Sequence, residues 1–423
     1  KFKFEVNDGK IENYIVNSSI NLDKLRFNEK IQNTVYLKDL KTQLTFDDKL
    51  LKVNLKSKYS FLNNDYNNQL DNNIFNLKFK KNDLKISDIE IFFDTKNNKI
   101  NTKEFKKYLD FTGDIIDDQI INLKSNFKIN VSVDNKLNIK KLSILSNLNF
   151  DNLNINYKSD LIKKYLENYE NKLAIRNPNI LLEYNDNIIN LQLDGKYSLK
   201  DKEDNFLIKL EGNKNNFDIY LLLDLDNSIL NLNEIKYYKK QNIPSELKIS
   251  VNNFNNNLNF KRISFTEKEN NISIKNLVFS DDYKIKSVDE VDVNFFNKNQ
   301  ILNNFKIKRK LNNYDIKGYH IDGERLVESL ISDNKKNSIL KLFKNINPSI
   351  TLNINKIYLE KNEYLEKFVG TMNFKNNKLF LAKINGVLDE KNKFSYSLRT
   401  TLKDERITNI FIKEPKPFIN NYK

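Results

Sequence analysis

The chain has 423 residues, 71 Lys and Arg against 56 Asp and Glu, a net charge of +15, no cysteine and one histidine. This excludes disulfides, thiolate metal sites and any site built on two histidines, and no apolar run approaches the ~20 residues of a membrane-spanning helix. The 29 Phe and 20 Tyr exclude a disordered chain, while 8 Gly and 5 Pro beside abundant Asn, Lys and Ile reflect compositional bias, so the positive charge reads as a Lys-rich solvated face and not as a nucleic-acid footprint.

From the first residues the hydropathy has period two. KFKFEV opens the chain, followed by NLKFK (76–80), FKINVSV (127–133), INLQL (189–193), LKISV (247–251) and VDVNF (291–295). Such alternation puts apolar side chains on one face of a sheet and polar ones on the other. An octet recurs within this pattern: apolar, x, apolar, x, x, apolar, x, apolar. It occurs as INLDKLRF (20–27), LKISDIEI (84–91), LNIKKLSI (137–144), LNFDNLNI (148–155), LNLNEIKY (230–237), LNFKRISF (258–265), ISIKNLVF (272–279) and LNINKIYL (352–359). The two-residue gap shifts the parity by one. All four apolar residues stay on one face only if the gap holds a bulge or a tight corner.

Helical spacing is rare. TKEFKKYLDF, from Thr102, is one predicted helix. SDLIKKYLENYENKL, capped by Ser159 with Asp160 at the positive end of the dipole, is a second. GERLVESLISDNKKNSILKLFKNI, from Gly323, is the third. The Asn-rich stretches at 63–73 and 252–257 are expected to be loops or hairpin ends.

GYHIDGER (318–325) resembles chemistry most. Gly318 and Gly323 have the spacing that opens a phosphate-binding loop, but Glu324 and Arg325 stand where its Lys and Ser/Thr belong. His320 has Asp322 nearby as a general-base partner. Strict alternation puts His320 on the face of Tyr314, Ile316 and Gly318, where a structural role is expected. The stretch is read as the end of a strand, a turn and a helix start. DIIDDQ (114–119) and FSDDYK (279–284) lack the glycine and spacing of a calcium loop and are expected to be turns. KIKRKL (306–311) is the densest basic stretch and lies on a strand pattern. No catalytic, metal or cofactor residue is assigned, and no enzymatic activity is expected.

The fold expected is mostly β: an elongated, curved antiparallel β-sheet groove with a few short helices. A sheet with one apolar face must cover it, and three short helices cannot cover several hundred residues of strand. Two alternatives remain. The sheet closes on itself as a structural or interaction module, or it forms a trough whose apolar lining holds lipid acyl chains at about 0.8 kcal/mol per buried CH2. The octets nominate Ile86, Ile91, Ile139, Ile144, Phe260, Ile274, Ile354 and Leu359 as lining residues.

Residues 314–423 order a strand (YDIKGYHIDG), a helix (ERLVESLI), paired strands (ITLNINKIYLEKNEYLEKFVGTMNF) and the run KLFLAKINGVLDEKNKFSYSLRTTLKDERITNIFIKEPKPFI. This order resembles the C-terminal AsmA-like region of bacterial envelope proteins of the YhdP and TamB kind. The resemblance implies a β groove over 1–313 followed by an AsmA-like module over 314–423. It also implies a periplasmic protein, tethered to the inner membrane through a segment outside this chain, that carries phospholipid toward the outer membrane. Phospholipid acyl chains, both membranes and envelope proteins are the partners implied, with no nucleic acid; His320 inherits no role. The chain opens without Met and stops at NNYK in mid-pattern, so it is expected to be part of a longer protein.

Overall fold

The computed structural model describes residues 2–20, 36–47, 50–60, 73–82, 86–102, 115–136, 138–254, 257–279, 285–331, 346–359, 362–376, 378–388, 392–401 and 405–413. Most of the octet at 20–27, the helix predicted from Thr102, the Asn-rich loop at 63–73, nearly all of FSDDYK and the second half of the third helix lie outside them. The fold is mostly β and antiparallel, with few short helices, as the alternation predicts. The chain forms two compact units. The first comprises 1–159 and 169–217, the second 160–168 and 218–423.

In the first unit, β1 (Phe2–Asn7), β2 (Lys10–Ile20), β3 (Tyr36–Asp47), β4 (Leu50–Ser60), β5 (Asn73–Asn82), β6 (Ile86–Asn101), β7 (Ile120–Asp134) and β8 (Ile139–Phe150) form an antiparallel meander. A bend at Asp151 separates β8 from β9 (Asn152–Asn156), and both pair with β10 (Lys172–Asn185). Next come β11 (Ile188–Ser198) and β12 (Glu203–Gly212).

The second unit contains both described helices, α1 (Asp160–Tyr165) and α2 (Glu324–Ile331). The helix predicted from Ser159 is shorter than its apolar spacing suggests. Leu166 instead bridges to Leu230, and from Lys172 the chain pairs as β10. After β13 (Asn216–Asp224) comes a small hairpin of β14 (Leu230–Leu232) and β15 (Tyr237–Lys239). Then β16 (Ser245–Phe254), β17 (Asn257–Glu267), β18 (Asn270–Phe279), β19 (Ile285–Ser287), β20 (Glu290–Phe296), β21 (Leu302–Lys310) and β22 (Asn313–Asp322) pair antiparallel, β18 with both β19 and β20. After α2, β23 (Ser349–Tyr358) returns parallel to β22, and β24 (Tyr364–Lys375), β25 (Lys378–Leu388), β26 (Asn392–Thr400) and β27 (Arg406–Ile412) continue antiparallel. The sequence-based boundary at 313/314 therefore falls inside this unit, where β21 pairs with β22.

The octet gaps do what parity demands at most sites. Lys140 is the extra residue where β8 passes β7, which returns Ile139 to the face of Leu142. Lys261 is extra in β17 against β16, and its neighbour Asn276 in β18 is left-handed at φ 50°. The octet at 148–155 breaks at Asp151, and that at 230–237 folds into the β14–β15 hairpin through Lys236 at φ 54°. Tyr319, Asn355 and Lys367 lie abreast in β22, β23 and β24, with register shifts against β21 on one side and β25 on the other. Consequently Leu352, Ile354, Ile357 and Leu359 are all buried in one core. The exception is 84–91, where β6 pairs continuously with β5 and β7 through Ser87 and Asp88.

The core of the second unit gathers Tyr314, Ile350, Leu352, Ile357, Leu365, Phe368, Ile384 and Leu398 under α2, which contributes Val327 and Leu330. Gly323 lets the strand-to-helix turn approach β23: a Cβ there would lie 2.5 Å from Ile357 Cγ1. Its N–H donates to the Tyr358 carbonyl at 2.8 Å.

Lys367 tests the bulge line because it is exposed and left-handed at φ 49°. A left-handed non-glycine residue costs about 1–2 kcal/mol. Lys367→Gly is therefore expected to stabilise the second unit by about 1 kcal/mol and Lys367→Val to destabilise it by at least as much, measured by urea unfolding. A regular strand would give the opposite order.

Candidate functional site

Register places residues of neighbouring strands on common faces, and in the first unit the rows that result are apolar on one side. One row runs Leu77–Ile91–Ile129–Ile144–Tyr184–Ile189 from β5 to β11. The next runs Phe75–Phe93–Phe127–Ser146–Leu182–Leu191–Leu210 and reaches β12. A third continues Thr95–Ser125–Leu148–Ile180–Leu193–Ile208. At about 4.8 Å per strand, the second row, over seven strands, is roughly 29 Å long and the other two, over six strands each, are roughly 24 Å.

In these three rows the apolar side chains are half-buried, with Phe75 the fully buried exception, whereas the short polar side chains between them are deep; at the margins of the face Leu123, Val133 and Phe206 are buried. Ser146 is 1% exposed and Thr95 2%. The Ser146 hydroxyl has no hydrogen-bond partner among the described residues. Large side chains therefore lean over small ones and leave one flank accessible. The opposite face is charged. Glu90 takes Lys78 at 2.9 Å and Lys128 at 3.5 Å, and the Lys78 hydrogen bond leads in holding its carboxyl below the usual range against the opposing effect of burial.

Of the predicted lining residues, Ile91 and Ile144 lie in the first row, two strands apart, joined by Ile129. Ile139 lies beyond the Lys140 bulge and is 62% exposed. Ile86 begins β6, but its side chain is outside the described residues. Phe260 and Ile274 are half-buried against the core of the second unit, where Phe260 meets Phe279 edge-on at 5.6 Å. Ile354 and Leu359 are enclosed in that core, 1% and 2% exposed. The seven whose side chains are described thus divide between the accessible face of the first unit and the core of the second or its margin. The octets missed Phe93, Phe127 and Leu191; for Phe127 and Leu191 the signal was the strict alternation of FKINVSV and INLQL, whereas Phe93 follows Ile91 and Phe92 in an unbroken apolar run.

The GYHIDGER stretch is a structural junction. The irregularity at Tyr319 undoes the expected parity of His320: Tyr314 and Ile316 face the core and so does Ile321, while His320 turns to the other face beside Tyr358, ring centroids 6.0 Å apart. Asp322 is held by Lys236 at 2.9 Å, by the Asn297 amide at 2.6 Å and through its own N–H by Asn303. Lys236 also reaches Glu324. Burial pulls the Lys236 ammonium down, but its bonds to Glu324 and Asp322 outweigh this and raise its pKa. Asp322 accepts the Glu324 N–H at 3.3 Å and so caps α2. In KIKRKL, Lys306, Lys308, Arg309 and Lys310 pair with Asp292, Glu290, Asp289 and Asp315.

Among the described residues no cluster of three metal-ligating side chains occurs, and no helix is long and apolar enough to cross a membrane. Glu267 is a carboxyl whose pKa burial raises, against the hydrogen bond from Asn270 and the charge of Lys268. It accepts the Tyr237 hydroxyl, and the two are 7% and 1% exposed. This pair ties β15 to the β17–β18 hairpin from inside the protein.

Comparison of the chain with protein-family models, curated proteins and solved structures gives no significant match.

Because the folded-state pKa of Glu267 is raised, its neutral form is favoured by folding. Its contribution to stability is full below the unfolded value near 4.5 and is lost as pH rises through the folded pKa. Glu267→Gln is expected to raise Tm at pH 7 and leave it nearly unchanged at pH 4, read by thermal unfolding at both.

Proposed function

We propose that the first unit carries lipid acyl chains on its apolar face, without catalysis. The observation that carries this reading is the continuous half-buried apolar surface of three rows across β5 to β12, backed by an ion-paired face. A soluble sheet of this width ordinarily buries its apolar side. One leaflet of a bilayer is about 15 Å of hydrocarbon, so rows of roughly 24 to 29 Å accommodate a chain lying across the strands. Each CH2 removed from water contributes about 0.8 kcal/mol, and no reacting group is needed. The resemblance of residues 314–423 to AsmA-like envelope proteins supports the same reading. With it go a periplasmic location, a tether outside this chain and movement of phospholipid between inner and outer membranes.

A second reading is a structural module with its apolar faces closed, favoured by the second unit, where the β23 octet is buried in one core and residues of the β17 and β18 octets pack against that core or a second cluster. Native mass spectrometry of gently purified protein separates the two. The carrier retains phospholipid, and Phe93→Asp together with Ile129→Asp is expected to remove most of it while circular dichroism stays that of a β protein. A folded variant with unchanged lipid, or a wild-type protein that carries none, overturns the carrier reading.

A further inference from the structure

We propose a second binding site in the first unit: a cleft that takes a saccharide. A cavity of about 490 Å3 opens across β6, β7, the end of β8 and β10, within the size range of small-molecule sites. It exists because neighbouring strands depart from regular course at one level. β6 has an extra residue between Thr95 and Asn98 against β7. The line of β8 and β9 bends at Asp151. β10 bulges at Asn177 and Pro178 against β11, with Asn177 left-handed at φ 44°. Bulges re-aim side chains and occur preferentially beside functional sites. Here the irregular positions themselves, Asn97 and Asn177, line the cleft.

The lining selects a class of ligand. Asp151 is exposed, but its carboxylate is taken up by neighbouring groups: it accepts the backbone N–H groups of Asn122 and Asn152 at 3.0 and 2.9 Å and the Asn122 side-chain amide at 2.7 Å. This fixes Asn122 with its side-chain carbonyl free to accept. Asn149 donates to Asn147 at 2.9 Å, which leaves its carbonyl available too. Lys124 has no hydrogen bond or ion pair among the described residues and supplies donors. Hydroxyl groups both donate and accept, and amides with one ammonium match them. A phosphate needs an excess of positive charge, but Lys124 is offset by Asp151. Phe150 and Pro178 add apolar surface for the C–H side of a sugar ring. A free saccharide and the sugar headgroup of a glycolipid present this same chemistry.

Saturation-transfer NMR of the whole chain, with a panel of methyl glycosides and disaccharides up to about 10 mM, tests the site. Inorganic phosphate is the anion control. Phosphatidylcholine vesicles with and without a glycosyl diacylglycerol form the second arm. At least one saccharide, free or vesicle-borne, is expected to bind, and phosphate should not displace it. Binding of free sugar identifies a soluble ligand; binding only to glycolipid vesicles identifies a headgroup. Lys124→Ala with Asn149→Ala should weaken binding about tenfold, and exposed Asn97→Ala, at the bulge, provides a variant that leaves the ladder intact. No binding in either arm, displacement by phosphate, or full binding by folded variants overturns the proposal. Acyl-chain retention is not among these readouts, so the two sites stand or fall separately.

Discussion

Everything in this protein depends on pairing register. An antiparallel ladder fixes which side chains share a face, and a slip of one residue reverses every one of them. Across β5 to β12 the register aligns Ile91, Ile129 and Ile144 on one side and Lys78, Glu90 and Lys128 on the other. Neither face alone specifies the sheet. Aligned apolar rows hold the strands together, while paired charges such as Glu90 with its two lysines disfavour the shifted registers that would set like charges opposite one another.

The two units use the same kind of strand differently. In the second, α2 closes the sheet and Ile350, Ile357 and Leu365 reach zero exposure. In the first, the equivalent rows stop at half burial around small side chains such as Ser146 and Thr95. An enclosed core reports only on stability. A face left half-buried over several strands keeps apolar surface that a partner can cover.

Much of the fold was legible because alternation is a local signal. FKINVSV and INLQL announce strands, and the octet gap announces an irregularity that Lys140, Lys261 and Asn276 supply. Partners were not legible: which strand lies beside which is a long-range fact, so Ile91 and Ile354 carried the same octet mark yet belong to different environments. His320 went to the unexpected face because the irregularity at Tyr319 lies outside any octet. The cleft near Asp151 was invisible for a related reason. Its residues come from four strands, and each looks like an ordinary polar position in its own stretch.

The parallel pairing of β22 with β23 has a kinetic consequence. Most other pairs join strands close in sequence and can zip as hairpins, but pairing Asn313 with Ser349 and Asp322 with Tyr358 requires a crossover through α2 and its following segment. Parallel pairs need such crossovers, and closing them precedes any reward from contact. Strands β23 to β27 can therefore meander among themselves early and join the rest late. The late step expected in assembling this unit is the docking of the C-terminal meander against β22, where the Gly323 N–H meets the Tyr358 carbonyl.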